Sequence, residues 1–449
     1  MTTLRSAPEG LASWPLAPIE ELDLYLESAA DPSLIQLETQ VCGHLDRAAL
    51  RAALAAALAA DPAARRHLAA ASPWRRRLRW EAAAGLPARA DDVLVVASWR
   101  GDTQLAALRE WLSARPIPLR DRAVRLILAA GPEHDVVILQ THHAAFDGIS
   151  SLALLTAIAA AYQDQAGHDA RSLPQSPSRP APGPSGTVGR GAGGTAAGLA
   201  RIAARLPGVV TRIAARPERP DRPGYGSVHR SVPVPRPARE GSGPFPTVND
   251  VLVAALIATV RRWNAAHGRP ARRIRISVPV NDRDHRSRWA GPGNQTRLIR
   301  VTASGRDCAD PARLLAHVAA QTRAGKQRPP AGLDATSRLL ATGWAPAAVK
   351  RFAARLIRRL AGPVCTDTAL VSNLGVLPGP PSFSGRGTEP LWFSGPAQMP
   401  RGLGVGAVTI AGQLHLCVHY RHALLDRGAA ADFTALYCQA VRELARRPE

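Results

Sequence analysis

The segment His142-His143-Ala144-Ala145-Phe146-Asp147-Gly148 decides the reading of this chain. Apolar residues from Val136 to Leu139 run into it as a short strand, and Ile149, Leu152, Leu155, Ile158 and Tyr162 recur behind it at helical spacing. A strand that ends on a histidine just before a helix places that imidazole where it can face a cleft. With an ordinary pKa near ~6.5, it can take a proton from an alcohol or amine at neutral pH. Neighbouring side chains at a strand end point to opposite faces, which argues against a metal site built from His142, His143 and Asp147. One of the two imidazoles is therefore expected to carry the chemistry and the other to serve the turn. Asp147 has two readings: it orients a histidine, or it pins the loop by pairing with an arginine elsewhere. Gly148 is expected to permit a tight exit from the turn.

The pattern occurs twice. Leu414, Leu416, Val418 and Tyr420 alternate as a strand, His422-Ala423-Leu424-Leu425-Asp426 follows, and Phe433, Leu436, Tyr437, Ala440, Val441 and Leu444 mark one face of a helix. The same strand, His-x-x-x-Asp turn and helix in both halves implies an internal duplication. Arg427 stands where the first copy has Gly148, so the second copy is not expected to be a second active site.

Other segments fill in two α/β halves. Asp46 caps a helix with Leu50, Leu54 and Leu58 on one face, Thr247-Val248-Asn249-Asp250 begins a buried helix running to Trp263, and Ile274, Ile276, Val278 and Val280 alternate as a strand ending at Asn281-Asp282-Arg283. Between Arg171 and Gly198 the chain is rich in Pro, Ser and Gly and reads as a linker. From Leu199 to Arg216, Leu199, Ile202, Leu206, Val209, Val210 and Ile213 face one way and Arg201, Arg205, Arg212 and Arg216 another, the pattern of a basic amphipathic helix. It is read as packed on its own domain, with peripheral membrane contact as the alternative. The domain boundaries are set at 1–170, 171–222 (linker and basic helix) and 223–449.

At 449 residues and 46% hydrophobic, the chain has ample material for two such halves. Its formal charge of +22 invites a nucleic-acid reading, but Lys326 and Lys350 are the only lysines, the arginines are spread along the whole length, and aromatic residues make up 4%. That is too sparse for base-stacking platforms, so nucleic acid is excluded as a partner. The basic surface could still steer an acidic carrier protein or the phosphates of coenzyme A. Trp74-Arg75-Arg76-Arg77-Leu78-Arg79-Trp80 reads as a solvated strand edge. Cys42, Cys308, Cys365, Cys417 and Cys438 are scattered, lack any Cys-x-x-Cys pair, and read as core thiols. No apolar run is long enough for a membrane span and Met1 to Glu20 carries no signal-peptide core, so a cytoplasmic location is expected.

The motif from His142 to Gly148 resembles the His-His-x-x-x-Asp-Gly signature of the chloramphenicol-acetyltransferase-like superfamily. That superfamily includes nonribosomal peptide synthetase condensation domains, wax ester synthase/diacylglycerol acyltransferases and polyketide-associated acyltransferases. Gly43-His44-Leu45-Asp46, Thr247-Val248-Asn249-Asp250, Pro279-Val280-Asn281-Asp282-Arg283 with Gly293-Asn294, and Val371-Ser372-Asn373-Leu374-Gly375 occur in the family's order. The resemblance covers most of the chain from about Glu20 and is weakest from Arg171 to Ser227.

This resemblance implies two α/β lobes in a V, with a central tunnel that admits donor and acceptor from opposite faces and holds His143 at its middle. The family's aspartate, matched by Asp147, is usually structural and paired with an arginine of the later lobe, for which Arg283 is the candidate. Asn249 and Asp250 match a pair that recurs in the wax ester synthase branch, although Thr-x-x-Asp is also an ordinary helix start. Ser372 and Asn373 lie in a segment that crosses near the tunnel and are candidates for hydrogen bonding an oxyanion, although Ser-Asn-x-Gly is also good turn chemistry.

The implied activity is a freestanding acyltransferase. It would move an acyl group from a coenzyme A thioester, or from the phosphopantetheine arm of a carrier protein acting in trans, to a hydroxyl or amine, with His143 as general base. No bound metal or redox cofactor is implied, and the acceptor is a small molecule or a lipid. Alternatives are a wax ester synthase-type O-acyltransferase acting on lipid alcohols, a non-catalytic scaffold that binds a carrier protein, and a tunnel turned to epimerisation or cyclisation.

Overall fold

The computed structural model describes residues 12–61, 64–82, 93–165, 210–235, 245–281, 296–308, 310–327, 345–383, 385 and 390–445. Their elements are β1 (Ala12–Pro15), α1 (Pro18–Leu26), β2 (Leu34–Gln40), α2 (Arg47–Ala60), β3 (Arg66–Leu68), β4 (Arg79–Ala82), β5 (Leu94–Ser98), α3 (Asp102–Ser113), β6 (Val124–Ala130), β7 (Val136–His142) and α4 (Gly148–Gln165) in the first half. The second half holds β8 (Tyr225–Pro233), α5 (Val248–Ala266), β9 (Arg273–Asn281), β10 (Thr296–Ser304), α6 (Pro311–Gln327), α7 (Ala347–Cys365), β11 (Ala369–Leu377), β12 (Leu391–Ser394), β13 (Leu403–Ile410), β14 (Gln413–Arg421) and α8 (Arg427–Ala445).

Two mixed sheets carry the architecture, in the orders β12-β2-β7-β6-β5 and β10-β9-β11-β13-β14-β8, beside a small β1-β4-β3 sheet. The first sheet is covered on both faces, which explains why β7 is buried at every position. Alternate residues divide between the layers. Val137 and Leu139 pack with Leu50, Leu54, Leu155 and Ile158 of α2 and α4. Val136 and Ile138 pack with Leu105 and Leu112 of α3. Behind the second sheet, α5 and α8 supply Val251, Leu252, Leu256, Phe433, Tyr437 and Val441 to a second core.

The duplication read from the sequence is explicit in the pairing. β2–β7 and β7–β6 are antiparallel and β6–β5 parallel. Likewise β8–β14 and β14–β13 are antiparallel and β13–β11 parallel. Even the turn bonds repeat: His143 N–H donates to Ser33 O at 2.8 Å, and His422 N–H to Gly224 O at 3.2 Å. Ser150 N–H donates to Asp147 Oδ1 at 2.9 Å, and Ala429 N–H to Asp426 Oδ1 at 2.7 Å.

The halves are tied together by an exchange of chain. Strand β12 leaves the second half and pairs antiparallel with β2, aligning Phe393 with Leu37. It also lies against β13, where a Cβ on Gly406 would come within 1.7 Å of the Phe393 carbonyl oxygen, a position only glycine can occupy.

Several expectations are corrected. Residues 210–216 form no helix: Val210 and Ile213 are buried, Thr211 N–H donates to Arg273 O, and Arg216 bridges to Leu425. The rest of the expected basic helix, through residue 209, lies outside the described residues. Its described end is irregular packed chain, with Ile213 and Ala214 in the second core rather than on a helical face. The Trp74–Trp80 segment is not a solvated edge throughout. Trp74 is exposed, but Leu78 and Trp80 are buried, and the Arg75 carbonyl accepts from Ala347 N at the start of α7. Cys417 and Cys438 are core thiols, whereas Cys42 is exposed.

Candidate active site

Strand β7 ends at His142, and the chain turns at once. Ala145 N–H and Phe146 N–H both donate to the His142 carbonyl, at 2.9 and 3.0 Å, closing a tight loop before α4. The loop gives its two histidines different environments.

His142 is fully buried and both of its ring nitrogens are engaged. Ala144 N–H donates to Nδ1 at 3.1 Å, so Nδ1 carries no proton and Nε2–H donates to Glu27 Oε2 at 2.9 Å. Glu27 also accepts from Ser33 N through Oε1, at 3.0 Å, and the Ser33 carbonyl takes the His143 N–H. One carboxylate thus holds both the ring of His142 and the backbone of His143. Glu27 was not legible as a site residue because nothing near it in the sequence marks it.

His143 is half-buried, and its Nδ1 lies 3.1 Å from the carbonyl oxygen of Phe146. A carbonyl can only accept, so Nδ1 carries the proton and Nε2 presents a lone pair. That is the tautomer a general base requires. The orienting group is a backbone carbonyl of the same loop rather than a carboxylate.

Asp147 is buried and caps α4. Its Oδ1 accepts from Ser150 N at 2.9 Å and Ser150 Oγ at 3.0 Å, while Ser150 Oγ accepts from Asp147 N at 2.9 Å. Its negative charge also acts on Arg66, a buried guanidinium over the Phe146 ring. Burial lowers the Arg66 pKa, and Glu20, Asp61 and Asp147 oppose that shift. Arg283, the expected partner of Asp147, lies outside the described residues. The cation whose interaction with Asp147 the structure describes is Arg66, from the same half.

Gly148 opens α4, and its φ is not in the left-handed region. Glycine is required there for space: a Cβ would meet Leu374 Cδ2 at 2.8 Å and the Phe393 ring at 3.0 Å. Through that contact β11 and β12 close on the histidine turn. Leu374 directly follows Asn373, which, like Ser372, is half-buried on β11. Asn373 Oδ1 accepts from Gly375 N at 2.9 Å, which orients its amide nitrogen as a donor. Asn249 is half-buried in the first turn of α5, but the capping is done by its neighbour. Asp250 Oδ2 accepts from Thr247 N and Oγ1 at 2.7 and 2.8 Å, and its Oδ1 from Thr322 Oγ1 at 2.6 Å.

In the second copy of the motif, His422 is buried against Glu110 (3.5 Å) and Tyr420, at the junction with α3. Two open cavities, about 430 and 260 Å³, lie beside Arg297–Arg300 and between α3 and Tyr420; His143 lines neither. Among the described residues no group of three His, Cys, Asp or Glu could hold a metal. No described helix is long and apolar enough to cross a membrane.

Two uncharacterized proteins from strains of Mycobacterium tuberculosis, MT2362 and Rv2305, are each 30% identical to this chain over 430 residues, spanning 90% of it and 93% of their own length. The chain belongs to their family. No family model matches it. Among solved structures it is similar to a variant of the starter condensation domain of rhizomide synthetase RzmA in complex with C8-CoA and Leu-SNAC (TM-score 0.60, 14% identity, 96% of this chain and 94% of that one). It is also similar to the epimerization domain of the third module of tyrocidine synthetase B (TM-score 0.58, 14% identity, 98% of each chain). The fold is therefore the chloramphenicol-acetyltransferase-like fold of condensation and epimerization domains.

Proposed function

We propose that this condensation-fold protein transfers an acyl group from a thioester to a hydroxyl or amine. The observation that carries the reading is the bond from His143 Nδ1–H to the Phe146 carbonyl, which leaves Nε2 as a base on a half-buried ring. In the proposed reaction Nε2 takes the acceptor's O–H or N–H proton as the acceptor's lone pair forms a bond to the thioester carbon. The tetrahedral oxyanion collapses, the C–S bond breaks, and the proton passes from His143 to the departing thiolate. The Asn373 amide is the candidate donor to the oxyanion, with Ser372 beside it. His142, Asp147 and Gly148 set the geometry of the turn without touching substrate. The donor is a coenzyme A thioester or an acyl-carrier phosphopantetheine thioester, and the RzmA variant crystallised with C8-CoA is the comparison that supports this class.

The test is release of free thiol from a panel of acyl-coenzyme A and acyl-carrier thioesters, with mixed alcohol and amine acceptors, for wild type and His143→Ala. General-base assistance is commonly worth about 10²–10⁴-fold, and a loss of that size in a folded variant is the expected result. Acceptor-dependent release retained by His143→Ala would remove His143 from the mechanism. Because the fold also serves epimerization, the stereochemistry and mass of the product are followed in the same assay.

A further inference from the structure

The helix α7 carries the most conspicuous unpartnered surface among the described residues. Phe352, Ile357 and Leu360 are 69%, 62% and 70% exposed, and Val349 and Leu356 are also exposed. Val349, Phe352, Leu356 and Leu360 recur at i, i+3, i+7 and i+11, so they form one stripe, widened by Ile357. Arg351, Arg355 and Arg359 stand along its border at i, i+4 and i+8, all exposed, and the sequence AAVKRFAARLIRRLAGPVC contains no acid.

The opposite side of α7 is firmly seated. Lys350 is buried and its Nζ donates to the Arg76 carbonyl at 3.0 Å, Ala347 N–H donates to Arg75 O at 2.8 Å, and Arg358 lies 3.8 Å from Asp31. The apolar stripe is therefore the outward, solvent-exposed face of a fixed helix. Burying such residues in acyl chains is favourable, and a border made only of arginine selects for negative charge.

We infer that α7 docks the protein on an anionic lipid surface, lying in the plane of the headgroups with Phe352, Leu356, Ile357 and Leu360 inserted and the arginine row on phosphates. An exposed, acid-free helix edged by evenly spaced arginines fits a continuous negative plane better than a single protein partner. The docking face is joined to the histidine turn through a short relay: Arg355 Nη2 donates to the Glu27 carbonyl at 2.8 Å, and the Glu27 carboxylate holds His142. This inference goes beyond acyl transfer and does not depend on it.

The experiment is co-sedimentation of the full chain with vesicles of phosphatidylcholine alone and of phosphatidylcholine mixed with phosphatidylglycerol, at low and high salt. The variants are Phe352→Ser/Leu360→Ser and Arg351→Gln/Arg359→Gln, each checked for an unchanged melting profile; these four side chains are exposed, so the fold should survive. The expected result is sedimentation with the phosphatidylglycerol vesicles that salt weakens and that each pair of substitutions lowers about tenfold or more. Failure to sediment with either vesicle, equal sedimentation with both, or sedimentation unchanged in both variants would overturn the inference. So would a wild-type dimer that Phe352→Ser/Leu360→Ser converts to monomer, because a second copy would then cover the stripe.

Discussion

Glu27 Oε2 lies 2.9 Å from Nε2 of His142, while Glu27 Oε1 accepts the Ser33 N–H at 3.0 Å. Two donors meet one carboxylate, and each leads to the histidine turn by a different route. Glu27→Gln supplies only one accepting oxygen, so either Ser33 N–H or His142 Nε2–H faces an amide NH2. Moving the imidazole proton to Nδ1 does not help, because Ala144 N–H already donates there. The expected outcome is a destabilisation of about 1–3 kcal/mol, the cost of a buried donor left unmade, together with a fall in kcat at little change in KM. Chemical denaturation and thiol-release kinetics measure the two parts.

Gly148→Ala tests the closure of β11 and β12 on the turn. The new methyl meets Leu374 Cδ2 at 2.8 Å and Phe393 at 3.0 Å, and overpacking of this kind costs about 1–3 kcal/mol. Leu374→Ala destabilises by itself through the cavity it leaves, but it also removes the nearest clashing atom. The double variant should therefore lose less stability than the two single losses added together, and a double-mutant cycle by denaturant titration measures that coupling.

The contrast between Gly148 and Glu27 shows what the sequence could disclose. Local patterns were readable: the strand at Val136, the helix face from Ile149 to Tyr162, the capping box of Thr247 and Asp250, and the repeated His-x-x-x-Asp turn all follow from spacing of two or 3.6 residues. Gly148 was legible as a motif residue, but its reason was not, because Leu374 and Phe393 approach it from more than two hundred positions away. Glu27 left no signal at all, since one acid in an amphipathic helix end looks like any other. The helix expected up to Arg216 failed for a related reason: Val210 and Ile213 have helical spacing, but a place in the second core was the stronger claim on Ile213.

Two histidines on the face between the halves, His419 buried and His229 largely so, set an acid limit. His229 stacks on Trp392 (centroids 4.9 Å apart) beside Glu38, Arg109 and Arg230, and His419 stacks on Tyr225 (4.9 Å) near Arg421, His229 and His422. Burial pushes His229 down to about 4 and His419 to about 3. Both are neutral in the folded protein where an unfolded chain would protonate them. Below the ordinary histidine pKa of ~6.5 the unfolded state binds more protons, so stability falls as pH falls toward 4, by up to about 1.4 kcal/mol per pH unit for each histidine. His229→Phe keeps a ring on Trp392 and removes one such proton. Urea midpoints measured from pH 7 to pH 4 should fall less steeply for the variant than for wild type.

A buried ion pair joins the two halves at Asp31. Asp31, in the loop before β2, accepts from Tyr225 Oη at 2.8 Å and lies 3.4 Å from Arg421 Nη1, which also donates to the Ala30 carbonyl at 2.8 Å. Tyr225 and Arg421 come from β8 and β14, at the end of the second sheet, and all three side chains are buried. Burial and the Asp31 charge raise the Tyr225 pKa, so its hydroxyl stays protonated and donates. Asp31→Asn removes the negative charge while keeping the shape, leaving the Arg421 guanidinium in a low-dielectric junction without its carboxylate. Breaking a buried pair from one side costs about 3–5 kcal/mol, and that loss is expected here in equilibrium denaturation. Arg421→Met in the same background removes the orphaned cation and should recover a substantial part of it. Failure of the double variant to recover stability would assign the cost to the Tyr225 hydroxyl bond instead, which Tyr225→Phe measures separately.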